Sequence, residues 1–318
     1  MEKFLLISSF RHLNIDGTLQ APFTLLPGID ITNQKSKKNE LLADQNIVAL
    51  MGLIEANHLL DSPNIVFCEF DEKDLGNLDL EKSLLLILLW IKGLFRSAWV
   101  LSDHNLECDA AYLFKYEHGQ LERGTSNFLA QHITRADCSK SETTLDFEAL
   151  KKWERLHDNI SSYLHMKNSS DLRFFMEKGY CRIGRAFQFI DNARAAPNTS
   201  IKIAHYMSAF EALFSTSSAE LSHKLSERVA FFLSEYGKSH TKIEVFKNIK
   251  TAYEIRSKLV HGDNLPKGKI GQLPEVSSTC DSYLREIMQI MFGDQSLKEQ
   301  IDVTPEKLDN FFEQMIFG

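Results

Sequence analysis

Apolar and polar positions change their period near the middle of the chain. In the first half, short apolar runs alternate with turn signals. "KFLLISSF" (3–10) reads as a strand, "NIDGTL" (14–19) carries an Asp-Gly turn, and "APFTLLPG" (21–28) reads as the returning strand. "NQKSKKNE" (33–40) reads as a polar loop. Leu42, Ile47, Leu50, Ile54 and Leu59 follow the helical period over 41–60. "NIVFCEF" (64–70) is a further strand, 81–96 an apolar helix, and "AAYLFKYEHGQLERG" (110–124) two strands around a His-Gly turn.

From residue 145 onward the period becomes helical. The segments 145–164, 171–195, 200–215, 219–237, 241–262, 275–293 and 304–317 each carry an apolar stripe. Thr304 with Pro305 marks one helix start, and Gly237, Gly262 and Gly293 mark stops. "TRADCSKSETT" (134–144) lacks large apolar residues and reads as a linker. The expected architecture is an α+β domain over 1–140, of unassigned role, followed by an all-α bundle over 145–318, so that the chain is mainly α overall. A length of 318 residues accommodates two such cores.

Composition narrows the setting. The formal net charge of -7 disfavours a protein that coats nucleic acid non-specifically, so any nucleic-acid role rests on a local patch. Five scattered cysteines without a C-x-x-C pair read as reduced thiols in a cytoplasmic protein. "LLLILLWIKGLF" (84–95) meets Lys92 and Arg96 before reaching the roughly 20 residues of a bilayer span, which predicts a buried helix and no membrane partner.

Several motifs fail on inspection. "DEKDLGNLDLEK" (71–82) places Lys73, Leu75 and Lys82 where an EF-hand needs oxygen ligands. "GDNLPKGKI" (262–270) is one residue too long for a phosphate loop and ends on Ile270 rather than Ser or Thr. No H-E-x-x-H, G-x-S-x-G or G-x-G-x-x-G is present, so neither a metal nor a cofactor is expected.

One stretch resists a purely structural reading. In "AYEIRSKLVHGDN" (252–264), Arg256 lies within the apolar arc of Ile249, Ala252, Tyr253, Ile255, Leu259 and Val260. A guanidinium there needs a partner, and Glu211, flanking the stripe of Ile203, Met207, Phe210 and Phe214, is the candidate. His261 follows five residues later, about 140° round and about 7.5 Å along an ideal helix, so spacing alone does not join the two side chains. Arginine is long, and Gly262 ends the helix just beyond. The helix dipole favours imidazolium at this end while Arg256 opposes it, which suits proton exchange; the competing role is a simple cap on the last carbonyls. Residues 241–269 carry a net charge of +4, with Lys250, Lys258, Lys267 and Lys269 among the cations. Such a patch can hold phosphates, or it can be a solvated helix face.

An arginine, four residues, then a histidine at a helix end resembles the signature of the HEPN superfamily (higher eukaryotes and prokaryotes nucleotide-binding). With "SAFEALFS" (208–215), "ELSHKLSERVAFFLSE" (220–235) and "FKNIKTAYEIRSKLVHG" (246–262), residues 170–295 look like the Apea-like HEPN domain. The resemblance implies a homodimer in which Arg256 and His261 of both chains meet and act as a metal-independent endoribonuclease. Its typical settings are phage defence, toxin–antitoxin pairs and the stress response. Glu211 and Arg228 match polar positions of flanking helices, and Ser257 stands where many members have Asn, Asp or His. Asp263 replaces a Tyr modified in some toxins, so that regulation is not implied. The expected partners are RNA or nucleotide, a second copy of the chain, and a regulatory protein. A non-catalytic HEPN module binding RNA, nucleotide or protein is the alternative, and a purely structural Arg256–Glu211 ion pair is a third.

Overall fold

A computed structural model describes residues 3–71, 78–130, 132–169, 177, 179–217, 221–237 and 240–318. The chain forms two compact units. The first comprises Met1–Ala98, His104–His132 and Ser141–Asp158; the second comprises Trp99–Asp103, Ile133–Lys140 and Asn159–Gly318.

The first unit contains β1 (Lys3–Ser8), β2 (Phe10–Arg11), β3 (Leu13–Ile15), β4 (Phe23–Leu26), β5 (Ile29–Thr32), α1 (Lys35–Leu41), α2 (Gln45–Met51), α3 (Leu53–Asp61) and β6 (Ile65–Asp71). It continues through most of α4 (Leu80–Leu101), then β7 (Glu107–Cys108), β8 (Ala111–Glu117), β9 (Gln120–Asn127), β10 (Thr143–Leu145) and the first half of α5 (Phe147–Met166).

Six strands form an antiparallel sheet in the order β4-β5-β6-β1-β8-β9. Register explains the unbroken apolar run of β1. Ile7, opposite Phe67 and Tyr112, joins a core with Leu41, Ile47, Met51 and Leu59 from α1–α3. Leu6, opposite Cys68 and Leu113, points to the other face and is also buried. A sheet covered on both faces needs apolar residues at successive positions.

Several expectations change here. Segment 21–28 does not return against 3–10. It pairs with β5 through a tight turn in which Gly28 takes φ 84°, and β1 lies between β6 and β8. The polar stretch 33–40 is largely helical. Its Lys38 is buried and donates to Leu60 O at 2.8 Å and Ser62 O at 2.7 Å, satisfying carbonyls at the end of α3. The helix over 41–60 is two helices, divided at Gly52 with φ 103°. Segment 134–144 is not a free linker. Thr143–Leu145 pairs parallel with β3, and Ala136 N donates to Asp103 Oδ2 at 2.9 Å. The His118-Gly119 turn is as expected: both residues are left-handed, at φ 50° and 79°, as a type I′ hairpin requires.

By length and composition α4 could cross a membrane, yet most of its apolar window is buried inside the protein, as in a core helix.

The second unit is helical among its described residues. After α5 come α6 (Arg182–Ala195), α7 (Thr199–Phe214), α8 (Leu221–Tyr236), α9 (Lys242–His261), α10 (Lys267–Ile270), α11 (Leu273–Gly293), α12 (Gln295–Ile301) and α13 (Pro305–Phe317). The expected helix over 171–195 begins at Arg182, with Cys181 Sγ accepting from Gly184 N at 3.2 Å; residues 171–176 and 178 lie outside the described residues. Residues 219–220 and 72–77, from the segments read over 219–237 and 71–82, lie outside them too. Lys202 is buried and donates to Ala193 O at 2.9 Å and Arg194 O at 3.0 Å, the same device at the end of α6 that Lys38 supplies at α3. Burial pushes the Lys202 ammonium down to about 8.

A charged cluster lies inside this unit. Asp281 accepts from Trp99 Nε1 at 2.7 Å, Tyr206 Oη at 3.0 Å and Arg285 at 2.5 Å. Burial and the nearby Asp281 carboxylate push Asp103 up to about 6 from an ordinary 3.8, and Asp103 Oδ1 has no hydrogen-bond partner among the described residues. Between these two values the folded protein holds a proton that the unfolded chain has released. Asp103 therefore contributes less to stability as pH rises from about 4 to 6, and its ionised form is a cost above that. Asp103→Asn keeps an acceptor for Ala136 N and removes the charge. It is expected to stabilise the fold by about 1–2 kcal/mol at pH 7.5 and by little at pH 4, measured by urea unfolding at both values.

Candidate functional site

Both ends of α9 are set locally. Thr241 Oγ1 accepts from Glu244 N at 3.3 Å at the start. At the end Gly262 adopts φ 74°, with Gly262 N donating to Leu259 O at 3.3 Å and Asp263 N to Lys258 O at 2.9 Å. This pair of bonds is the Schellman motif and makes His261 the last helical residue. His261 is exposed and has neither a hydrogen bond nor an ion pair among the described residues.

The arc read as buried is closed only in part. Ile249, Ala252 and Ile255 are buried, but Leu259 is exposed and Val260 is 61% exposed. Arg256 sits at the boundary. Its Nη2 lies 3.6 Å from Glu211 Oε1, with the two side chains 28% and 20% exposed, and its guanidinium stands 5.5 Å from the Tyr253 ring centroid. Glu211 Oε1 has no hydrogen-bond partner, so the contact is an ion pair without a fixed hydrogen bond. Burial pushes the Glu211 carboxyl up, and Arg256 works against that. Tyr253, read from the sequence only as an apolar position, is thus an aromatic neighbour of the arginine.

A half-exposed stripe runs along α7 through Ile201, Ala204, His205, Ser208, Glu211 and Ala212. The buried face of that helix includes Ile203, Tyr206, Met207 and Phe210. On α9, Tyr253, Arg256, Ser257 and Val260 form a matching stripe at i, i+3, i+4 and i+7, and the Glu211–Arg256 pair joins the two. Burial lowers the pKa of His205 on the α7 stripe.

The other sequence-derived residues divide. Arg228 is buried and donates to Phe214 O at 2.7 Å and Thr216 Oγ1 at 3.2 Å, and it pairs with Asp309. It braces the end of α7 alongside Arg182, which donates to Ser215 O at 2.9 Å. Lys250 and Lys267 are exposed, Lys258 is half-buried, and Lys269 pairs with Glu254 at 2.9 Å. That hydrogen bond lowers the Glu254 carboxyl. Three of the four lysines proposed for RNA therefore have no carboxylate partner among the described residues.

Compared with protein-family models, curated proteins and solved structures, the chain matches none of them.

Proposed function

We propose that the second unit is a HEPN-type homodimerising module and that Arg256 and His261 of paired protomers cut RNA without a metal ion. The observation that carries this reading is the open arginine: Arg256 is ion-paired without a fixed hydrogen bond, at the edge of an uncovered stripe, five residues before an exposed and unpartnered histidine at the helix end.

The chemistry follows from these groups. A ribose 2′-OH attacks the adjacent phosphorus, so the nucleophile belongs to the RNA itself. His261 moves a proton from the 2′ oxygen or to the departing 5′ oxygen. Arg256 retains N–H donors for the non-bridging phosphate oxygens and offsets charge that grows in the transition state. Glu211 and Tyr253 orient the guanidinium, and Arg228 positions α7 from behind. Lys250, Lys258 and Lys267 extend the cationic surface along the RNA backbone. The half-exposed stripes of α7 and α9 supply the face for the second copy.

That face gives a direct check. Val260→Asp replaces a side chain already exposed in the protomer, so the fold is expected to keep its melting temperature while the dimer dissociates in size-exclusion chromatography with light scattering. The cleavage assay compares wild type with His261→Ala on RNA in EDTA. Loss of an EDTA-resistant activity supports the enzyme. RNA bound but never cut by wild type supports the non-catalytic module, and the Arg256–Glu211 ion pair is the observation that keeps this second reading in play, since a structural or binding role also explains it. A His261→Ala protein that unfolds assigns the histidine to structure.

A further inference from the structure

We propose that a cavity of about 390 Å³ in the first unit, where Arg11, His12 and His58 gather around Asp109, binds a small phosphate-bearing ligand of about mononucleotide bulk. The cavity is independent of Arg256 and His261.

The fold goes to some length to build it. Asn64 is fully buried, accepts from Phe10 N and donates to Phe10 O and Leu13 O, each at 2.9 Å. Thr143 N donates to His12 O at 2.8 Å. Together these bonds bracket His12, whose φ of 62° is a left-handed conformation that few side chains adopt. His12 Nδ1 in turn meets Glu142 Oε1 at 3.2 Å. Across the cavity, Asp109 is nearly sealed and both its oxygens are engaged. Oδ1 accepts from Arg11 Nη2 at 2.6 Å and Ala110 N at 2.9 Å; Oδ2 meets His58 Nε2 at 2.5 Å and Ser9 Oγ at 3.5 Å. Burial pushes the Asp109 carboxyl up, but the hydrogen bonds from Arg11 and His58 outweigh it and hold the group below the usual carboxylate range.

The ligand class follows from what remains after this internal pairing. An ionised Asp109 only accepts, so His58 Nε2 carries the hydrogen; its Nδ1 is an acceptor on the neutral ring and a donor on the imidazolium. His12 has its Nε2 left over, and Arg11 has the rest of its guanidinium fork. The Arg11 and His58 side chains are 54% and 55% exposed, so both are reachable. Of the carboxylates, Asp109 is saturated and Glu142 is shared with His12, which leaves Asp61 on the rim. The rest of the Arg11 fork donates in any state, and the second nitrogen of each imidazole donates once a bound anion holds the ring protonated, so a phosphate fits a guanidinium flanked by imidazoles. A surface ion pair alone needs neither a left-handed histidine nor a second histidine–carboxylate pair in the same cavity.

Isothermal titration calorimetry on the full chain tests this with inorganic phosphate, AMP and adenosine, using wild type, Arg11→Gln, His58→Gln and His12→Gln. Phosphate and AMP are expected to bind, AMP more tightly, and adenosine not to bind. Arg11→Gln and His58→Gln are each expected to weaken AMP by about tenfold or more. His12→Gln leaves Asp109 and its partners intact, so it still reports if loss of a partner of Asp109 lowers folding. His261→Ala is expected to bind AMP as wild type does, which separates this site from the cleavage reading. No binding of either phosphate probe at millimolar concentration, adenosine binding as tightly as AMP, or AMP affinity unchanged in all three cavity variants would overturn the proposal.

Discussion

Asp281→Ala is expected to be the most damaging single substitution in the helical unit, lowering stability by about 3–5 kcal/mol. Asp281 is completely buried, and three donors converge on it from Trp99, Tyr206 and Arg285. Removing the carboxylate leaves a fully buried indole N–H and phenol, and a half-buried guanidinium, without their acceptor. Asp281→Asn keeps one acceptor oxygen and the side-chain volume, so it should fall between wild type and Ala. Trp99→Phe strands no donor and should cost about 1 kcal/mol from its lost hydrogen bond, besides any packing change. Thermal unfolding followed by circular dichroism should show Asp281→Ala melting about 10 °C below wild type. A drop of about 2 °C or less would mean that the cluster is far less coupled than its geometry implies.

The second large effect is on the proposed RNA cleavage. His261→Ala is expected to reduce RNA cleavage by about 10²–10⁴-fold, the range for loss of a positioned acid–base group, with little change in melting temperature because the side chain is exposed and unpartnered. Arg256→Ala should match it in activity but differ in stability. It strands Glu211, whose Oε1 is already buried without a hydrogen bond, and the carboxyl would then respond to burial alone. Its Arg256→Lys counterpart keeps the charge against Glu211 and loses the planar fork, so it should restore stability more fully than activity. Equal rates for all three variants and wild type would remove both residues from the chemistry.

What was legible in the sequence and what was not follows from the range of the interactions. The C-terminal end of α9 is a local matter of Gly262, and the sequence shows it. The β8–β9 hairpin is likewise carried by two adjacent residues, His118 and Gly119. The Arg256–Glu211 pair was legible because Arg256 interrupts an apolar arc and Glu211 flanks the apolar stripe of a neighbouring helix. By contrast, 33–40 looked like a loop because its buried position is filled by a lysine, whose acceptors lie more than 20 residues away at Leu60 and Ser62. The segment over 134–144 looked like a linker because the strand it contains pairs with β3, far away in sequence. The cavity around Asp109 had no signal at all: Arg11, His58 and Asp109 share no motif, and a fold must bring them together. The half-exposed stripe of α7 was also hidden, since it mixes isoleucine and alanine with histidine and glutamate.

A two-fold homodimer with a shared site makes a demand that no single protomer can imitate. Arg256→Ala and His261→Ala proteins are each expected to be inactive. Mixed in equal amounts and allowed to exchange subunits, half of the dimers are heterodimers, and each rebuilds one site from the arginine of one protomer and the histidine of its partner. About a quarter of wild-type RNA cleavage should return in EDTA. A mixture no more active than either variant alone, with subunit exchange verified, would contradict the shared Arg256–His261 site.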